Sequence, residues 1–401
     1  MRPQFQDMSV HAVTSGLLSS FVGFSSSFAV VVQGLVAVGA SPAQAASGLM
    51  LAALAMGLGG IILSLRYRMP LSVAWTTPGA AFLATLAVPE GGFAVAVGAF
   101  MLASALIVVA GLWRPLGQMA EAIPMPLANA MLAGILLPLC LAPFRAMGEL
   151  PQIALPVFAV WAVMARLNRL LAVPSAVALA AVLVWQGLEP GAFAMDRLWS
   201  GPVFVMPQLT LSGVVGIALP LFILTMASQN VTGIAVLRSF GYAPKAGPLI
   251  SFTGVMGVLA APFGSPGVNL AAITAALCAG PEAHPDPDRR YWSAVVAGAG
   301  YAVMGLGAAM AVALMAVAPP AVIATVAGLA LLGALASALA ASVAEPVARE
   351  ASLVTILMTA SGVSFFGIGA AFWGLLAGAA FYAWDTRKLR KAAMEAEAQE
   401  A

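Results

Sequence analysis

The residues able to do chemistry here are polar side chains set deep in apolar sequence. Gln229 and Asn230 lie among Leu224, Met226 and Ile234, where a buried amide left without a partner costs about 1–3 kcal/mol. Two uses fit such a pair: an interhelical bond that holds a bundle together, or contact with a ligand. Two short segments carry the other candidates. Residues 69–80 read Met-Pro-Leu-Ser-Val-Ala-Trp-Thr-Thr-Pro-Gly-Ala, and residues 261–269 read Ala-Pro-Phe-Gly-Ser-Pro-Gly-Val-Asn. Each reaches a second proline, Pro78 or Pro266, where a helix can restart because its first-turn N–H groups need no partner within the helix. Both segments therefore read as extended backbone followed by a half-helix. In that reading Thr76 and Thr77 stand at the start of the first half-helix, Ser265 opens the second, and Asn269 lies three residues into it. Facing half-helix N-termini offer free N–H groups and positive dipole ends, which favour an anion such as a carboxylate. The expected donors are the N–H groups near Gly79 and Ala80 and near Gly267 and Val268, helped by the four polar side chains. For each of those side chains a purely structural use, capping or bonding freed backbone, stands beside the ligand-binding one. Two ordinary proline kinks in tilted helices are the plainer alternative for the segments themselves.

These residues need elements to hold them, and the composition says which kind. The chain has 401 residues, 62% of them hydrophobic and only 8% charged. A soluble chain carries about a quarter charged residues. A soluble enzyme, a disordered scaffold and a nucleic-acid binder are excluded, and a polytopic membrane protein remains. Cys140 and Cys278 lie apart in apolar runs without metal-ligand or disulfide spacing, so no metal or cofactor is expected. Fourteen spans are expected: 10–38, 44–65, 78–88, 92–112, 124–142, 151–166, 171–187, 210–238, 246–260, 265–279, 291–316, 320–341, 350–362 and 367–384. The first seven residues are too short and polar for a cleavable signal. Alternating these spans from a cytoplasmic N-terminus puts 15 of the 17 Lys and Arg inside, leaving only Arg145 and Arg197 outside. That asymmetry supports the count and places both termini in the cytoplasm.

The halves 1–206 and 207–401 echo each other. Gly39-Ala40-Ser41-Pro42 matches Gly241-Tyr242-Ala243-Pro244 at an offset of 202. Thr76-Thr77-Pro78-Gly79 matches Gly264-Ser265-Pro266-Gly267 at 188, and Pro126 with Ala133-Gly134 matches Pro320 with Ala327-Gly328 at 194. Seven spans per half is odd, so the halves enter the membrane in opposite directions, as in many secondary transporters. The expected fold is thus all-α, with fourteen transmembrane segments in a 7+7 inverted repeat and extended stretches before half-helices 3 and 10. The repeats end at 206 and 386, and residues 387–401 form a polar cytoplasmic tail. The 202 offset also sets Ser26 and Ser27 opposite Ser228 and Gln229.

Residues 225–238, Thr-Met-Ala-Ser-Gln-Asn-Val-Thr-Gly-Ile-Ala-Val-Leu-Arg, followed by Gly241-Tyr242, resemble the benzoate transporter family of bacterial inner membranes. So do residues 261–276, and the likeness extends over essentially the whole chain. The resemblance implies benzoate/proton symport and a fold shared with nucleobase and sulfate-type anion transporters. It also implies a core domain (8–113 and 207–317) working against a gate domain (120–206 and 318–386), with substrate held between spans 3 and 10 beside spans 1 and 8. A homodimer is expected from the resemblance alone, since dimers are common among these relatives. A phenyl ring needs an apolar wall, for which Phe21, Phe24, Phe28 and Trp75 are candidates, Phe24 first because it adjoins Ser25, Ser26 and Ser27.

The expected substrate site therefore comprises Phe24, Ser26, Thr76, Thr77, Gly79, Gln229, Asn230, Ser265, Gly267 and Asn269. No Asp, Glu, Lys, Arg or His falls deep in any expected span, although proton-coupled carriers usually keep such a relay. Where nucleobase relatives carry acidic residues, Ser228 and Val268 stand. Three routes for a proton follow: on the substrate, on a polar side chain with water, or not at all. The expected function is import of an aromatic carboxylate with a proton, and an uncoupled facilitator for small anions is the alternative. No nucleophile, base or metal cluster at membrane depth points to an enzyme.

Overall fold

A computed structural model describes residues 8–113, 124–187, 201–271, 273–365 and 369–400, with the side chains of Ile273 and of residues 388–400 left aside. Arg2, Arg114 and Arg197, which entered the charge tally, lie outside the described residues. The chain is a helical bundle with two short strands at its centre. In order come α1 (Val10–Ser25), α2 (Phe28–Ala37), α3 (Pro42–Tyr67), β1 (Val73–Trp75), α4 (Thr77–Ala84), α5 (Phe93–Leu112), α6 (Met125–Glu149), α7 (Pro151–Leu167) and α8 (Ala172–Gln186). The second half has α9 (Leu211–Ser239), α10 (Ala246–Ala260), β2 (Val268–Leu270), α11 (Ile273–Ala279), α12 (Tyr291–Leu306), α13 (Ala308–Val317), α14 (Pro320–Ser342), α15 (Arg349–Ala360) and α16 (Ala370–Glu400).

Every expected span position holds helix. Among the described residues, seven stretches are long and apolar enough to cross a bilayer, counting α1 with α2, and eight if α12 and α13 form one span. Local sequence sets many of the ends. Ser41 and Gln44 form a reciprocal capping box ahead of Pro42 at the start of α3, and Pro126 and Pro320 occupy first turns. Two spans expected to be continuous are broken. Span 1 divides at Ser26 and Ser27, because both hydroxyls bond back to the carbonyl of Gly23, at 3.3 and 3.1 Å, and compete with the helix ladder. The eleventh bends by 52° between α12 and α13, where Gly307 lies in the gap. The polar tail continues α16 as helix to Glu400.

The helices pack in two sets. α3 lies along α12 and α10, α10 along α5, and α1 along α12. Separately, α6 lies along α14 and α15, and α15 along α16. The half-helix α4 touches both sets, through α2 and through α6.

The strands were not legible as a pair. β1 and β2 run antiparallel, with Val73 opposite Leu270, Ala74 opposite Asn269 and Trp75 opposite Val268. A further bond runs from Ala271 N to Ser72 O at 2.9 Å. At membrane depth no water is present to satisfy extended backbone, so each strand takes the other as its partner. This pairing corrects the second short span. Its half-helix starts at Ile273, not at Pro266. Gly264 and Gly267 adopt φ of +91° and +126°, which turn the chain into β2 and stop a helix from starting there. Val73 and Val268 open the strands 195 residues apart, so the offset of 188 joins non-equivalent positions.

Candidate functional site

The centre of the molecule is where the two half-helices diverge from the strand pair. α4 begins as the sequence suggests: Thr76 caps it by accepting from Gly79 N at 3.1 Å, with Pro78 in the first turn. The Thr76 hydroxyl also shares a 2.9 Å hydrogen bond with that of Thr225 on α9. A Cβ at Gly79 would press on Leu221 Cδ1 of α9 and on the capping Thr76 side chain, one of which would have to move. This cap corrects the expected donor set. Gly79 N is taken by Thr76 Oγ1 and Ala80 N by Thr76 O, and Pro78 has no N–H. Of the first turn only Thr77 N stays without a helix-capping partner. Thr77 itself is half-buried.

On the other strand the assignments shift. Asn269 is a β2 residue, not a helical one, and Gly267 lies in the turn before it. Ser265 does not cap α11 but precedes the strand. Its Oγ is buried and has no partner. Asn269 donates from Nδ2 to Leu270 O at 2.9 Å, while its Oδ1 is buried and also has no partner. The expected donors at Gly267 and Val268 are thus remote from the α11 N-terminus.

α9 supports both half-helices. Its polar motif sits in a π-helical turn, Met226–Asn230, an irregularity often found at functional sites. It falls opposite the Ser26 and Ser27 break in α1–α2, at the offset read from the sequence. Asn230 is fully buried and accepts from Leu270 N at 3.0 Å, and it donates to Met226 Sδ at 3.5 Å. It therefore anchors β2 to α9. Gln229 is half-buried, and its amide has no hydrogen-bond partner among the described residues. Ser228 turns back to Leu224 O, and Ser26 to Gly23 O.

The aromatic cluster is compact. The Phe24 ring lies 5.3 Å from Trp75, edge to face, and 5.9 Å from Phe28, stacked. Trp75 Nε1 donates to Ser27 Oγ at 2.9 Å, which fixes the indole against the helix break. Phe21 is not part of it; at 49% exposure it faces outward.

Three residues that the sequence reading passed over belong here. Thr225 pairs with Thr76, and its i, i+4 relation to Gln229 was a usable signal. Ser72 shares a 2.9 Å bond with Thr274 in the first turn of α11. Tyr301 of α12 is buried and donates to Ser19 O at 3.2 Å, beneath the α1 break. Trp75, Thr76, Asn230 and Asn269 are all buried, so the strand pair is closed in this structure. A cleft of about 420 Å³ opens nearby, between the C-terminal end of α4 (Phe82, Thr85) and α6, α15 and α16 (Gly134, Pro138, Thr359, Ala371).

A helical membrane bundle with two broken helices meeting at a strand pair in its centre, lined by neutral polar groups and aromatic rings, has the architecture of a polytopic carrier. Comparison with known proteins makes this specific. The profile of the benzoate membrane transport protein family matches residues 6–384, and the chain belongs to that family. It is 38% identical over 374 residues to the inner membrane protein YdcO of Escherichia coli (strain K12), covering 92% of this chain and 94% of that protein. It is 31% identical over 381 residues to the benzoate membrane transport protein of Acinetobacter baylyi, covering 94% and 95%. Among solved structures, the transmembrane domain of the cyanobacterial bicarbonate transporter BicA shares the fold, with a TM-score of 0.61 at 17% identity, covering 96% of this chain and 97% of that one. SLC26A9 has the same TM-score at 13% identity, covering 96% and 66%. The inverted-repeat fold expected from the sequence is the fold of these neighbours.

Proposed function

We propose that this chain is a secondary transporter that imports benzoate, or a similar aromatic monocarboxylate, together with a proton across the bacterial inner membrane. In this reading it crosses the membrane fourteen times, with both termini cytoplasmic. The observation that carries the reading is the central strand pair. It joins two half-helices whose surroundings offer an aromatic cluster, Phe24, Phe28 and Trp75, beside neutral polar groups, Thr77, Gln229 and Asn269. An apolar ring with one polar end needs that combination. The family membership and the name of the Acinetobacter relative support the substrate class.

Residues 8–113 and 207–317 act as the core that carries the ligand, and 120–206 and 318–386 as the gate against which it moves. The cleft between α4 and α6 lies on that boundary and serves as the ligand's path toward the closed site. The ten candidate residues divide by their bonds. Phe24, Thr77, Gln229, Ser265 and Asn269 have side chains free to meet a ligand. Ser26, Thr76, Gly79, Asn230 and Gly267 shape the backbone around it. A homodimer remains part of the reading, carried by the resemblance alone.

Uptake of labelled benzoate into proteoliposomes, with and without an inward proton gradient, is the test. Accumulation above equilibrium only with the gradient supports symport. Equilibration without accumulation supports the uncoupled facilitator. Absence of any benzoate uptake removes the proposal.

A further inference from the structure

The buried atoms at the strand pair specify the form in which a carboxylate ligand arrives. Asn269 is fully buried, and its amide orientation is fixed by chemistry: the atom 2.9 Å from Leu270 O must be the donor, Nδ2. The unpartnered atom is therefore Oδ1, which can only accept a hydrogen bond. Whatever completes it must donate. A carboxylate has no donor, whereas a carboxylic acid has one.

The face is the appropriate one. Asn269 pairs with Ala74, which is half-buried, while the neighbours Val73 and Trp75 are buried. Among the described residues no cationic side chain lies at the strand pair, and the Ser265 hydroxyl, buried and also unpartnered, can donate or accept but carries no charge. Among the described residues the only buried charged side chain is Arg290, and it is held at the far end of α11 by the carbonyls of Ala279, His284 and Pro285. The elements packed against β2 are α3, α9, α10 and β1; their charges, Arg66, Arg238 and the Lys245 that precedes α10, all sit at helix ends. The buried titratable groups beside α11, Tyr301 and Cys278, bond to Ser19 on α1. The α4 first turn has spent its N–H groups on Thr76, apart from Thr77. Burying a carboxylate among neutral groups costs far more than burying the acid.

We propose that the ligand binds as the neutral acid, its carboxyl O–H donating to Asn269 Oδ1, so that the coupled proton crosses on the substrate itself. This rests on the transport reading above. On the outer side one carboxylate oxygen forms an O–H bond with a proton from solution. On the inner side that bond breaks, the proton passes to water and the carboxylate leaves. One proton accompanies each carboxylate, and no protein group changes charge.

The test uses the purified full-length protein and competition against labelled benzoate. Benzamide is neutral and keeps a donor where the acid has its O–H; benzenesulfonate has the same ring but stays ionised. Benzamide should displace benzoate and benzenesulfonate should not. The apparent benzoate Kd should rise about tenfold per pH unit above the ordinary carboxyl value of about 4, and binding calorimetry in buffers of different ionisation enthalpy should show one proton taken up per benzoate. Asn269→Ala should weaken benzamide and benzoate by the same factor. Displacement by benzenesulfonate, or binding without proton uptake, overturns the inference while leaving benzoate transport intact. Failure of benzoate itself to bind at any pH overturns both.

Discussion

Asn230 is the point at which α9 holds the strand pair, and its removal has a magnitude that follows from the structure. Asn230→Ala takes away the acceptor for Leu270 N at 3.0 Å in a site where Asn230 and Leu270 are at most 1% exposed. A buried N–H left without a partner costs about 1–3 kcal/mol. The weaker contact to Met226 Sδ adds little. Because Leu270 is the residue opposite Val73, the penalty falls on the register of β2 against β1. If benzoate binds only when that register holds, the whole penalty appears in binding, about 5–150-fold in Kd. Asn230→Asp keeps an acceptor for Leu270 N but buries a carboxylate at a fully buried position, so at neutral pH it should melt below the wild type and bind benzoate poorly. The assays are melting in detergent and equilibrium binding on the same preparations. An Asn230→Ala protein that melts and binds like the wild type would refute the claim that this amide anchors β2.

Four further outcomes are expected. Gln229→Ala should leave the melting temperature unchanged, since its amide bonds nothing, while weakening benzoate affinity several-fold; unchanged affinity takes Gln229 out of the site. Thr225→Val should cost about 0.5–1.5 kcal/mol of stability by leaving Thr76 with one bond fewer, and Thr225→Ser should restore it. Gly267→Ala should destabilise by about 1–3 kcal/mol from its φ of +126° alone, since a Cβ would find ordinary room 3.7 Å from Thr76 Cγ2. For orientation, Ser364→Cys should react with a membrane-impermeant thiol reagent applied to intact cells, because the fourteen-span reading puts the α15–α16 connection outside; both native cysteines are buried. Labelling only after permeabilisation would invert the topology.

What could be seen in the sequence was what local chemistry decides. Thr76 and Pro78 cap and start α4 within four residues, so that half-helix was placed to within a residue. The matching start of α11 was misplaced by seven residues, from Pro266 to Ile273. The deciding interaction there is pairing with a strand 195 positions away, and nothing in residues 261–273 records it. The same contrast runs through the aromatic candidates. Phe24 and Phe28 stand four apart, but α1 ends between them, so their stacking and the contact of Phe24 with Trp75 both depend on how the broken span folds against β1. Asn269 was singled out correctly as polar and deep, yet its free oxygen was invisible until Leu270 O was seen to take its nitrogen. The π turn at Met226–Asn230 leaves no mark in composition, although the two serines that break span 1, Ser26 and Ser27, do.

The strand pair also bears on how such a chain is assembled. Each repeat contributes one strand, and among the described residues neither contains a second strand with which to pair it. A single half, released into lipid, would hold a length of extended backbone whose N–H and C=O groups face hydrocarbon. The two halves are therefore mutually completing at three residue pairs. Expressed as separate polypeptides cut in the connection after α8, they should each be unstable alone and recover one another when made together. An ancestor of one repeat would have met the same constraint by pairing with its own copy, in the opposite membrane orientation, about a two-fold axis. The duplication that joined two such copies would then have converted a concentration-dependent contact into a permanent one.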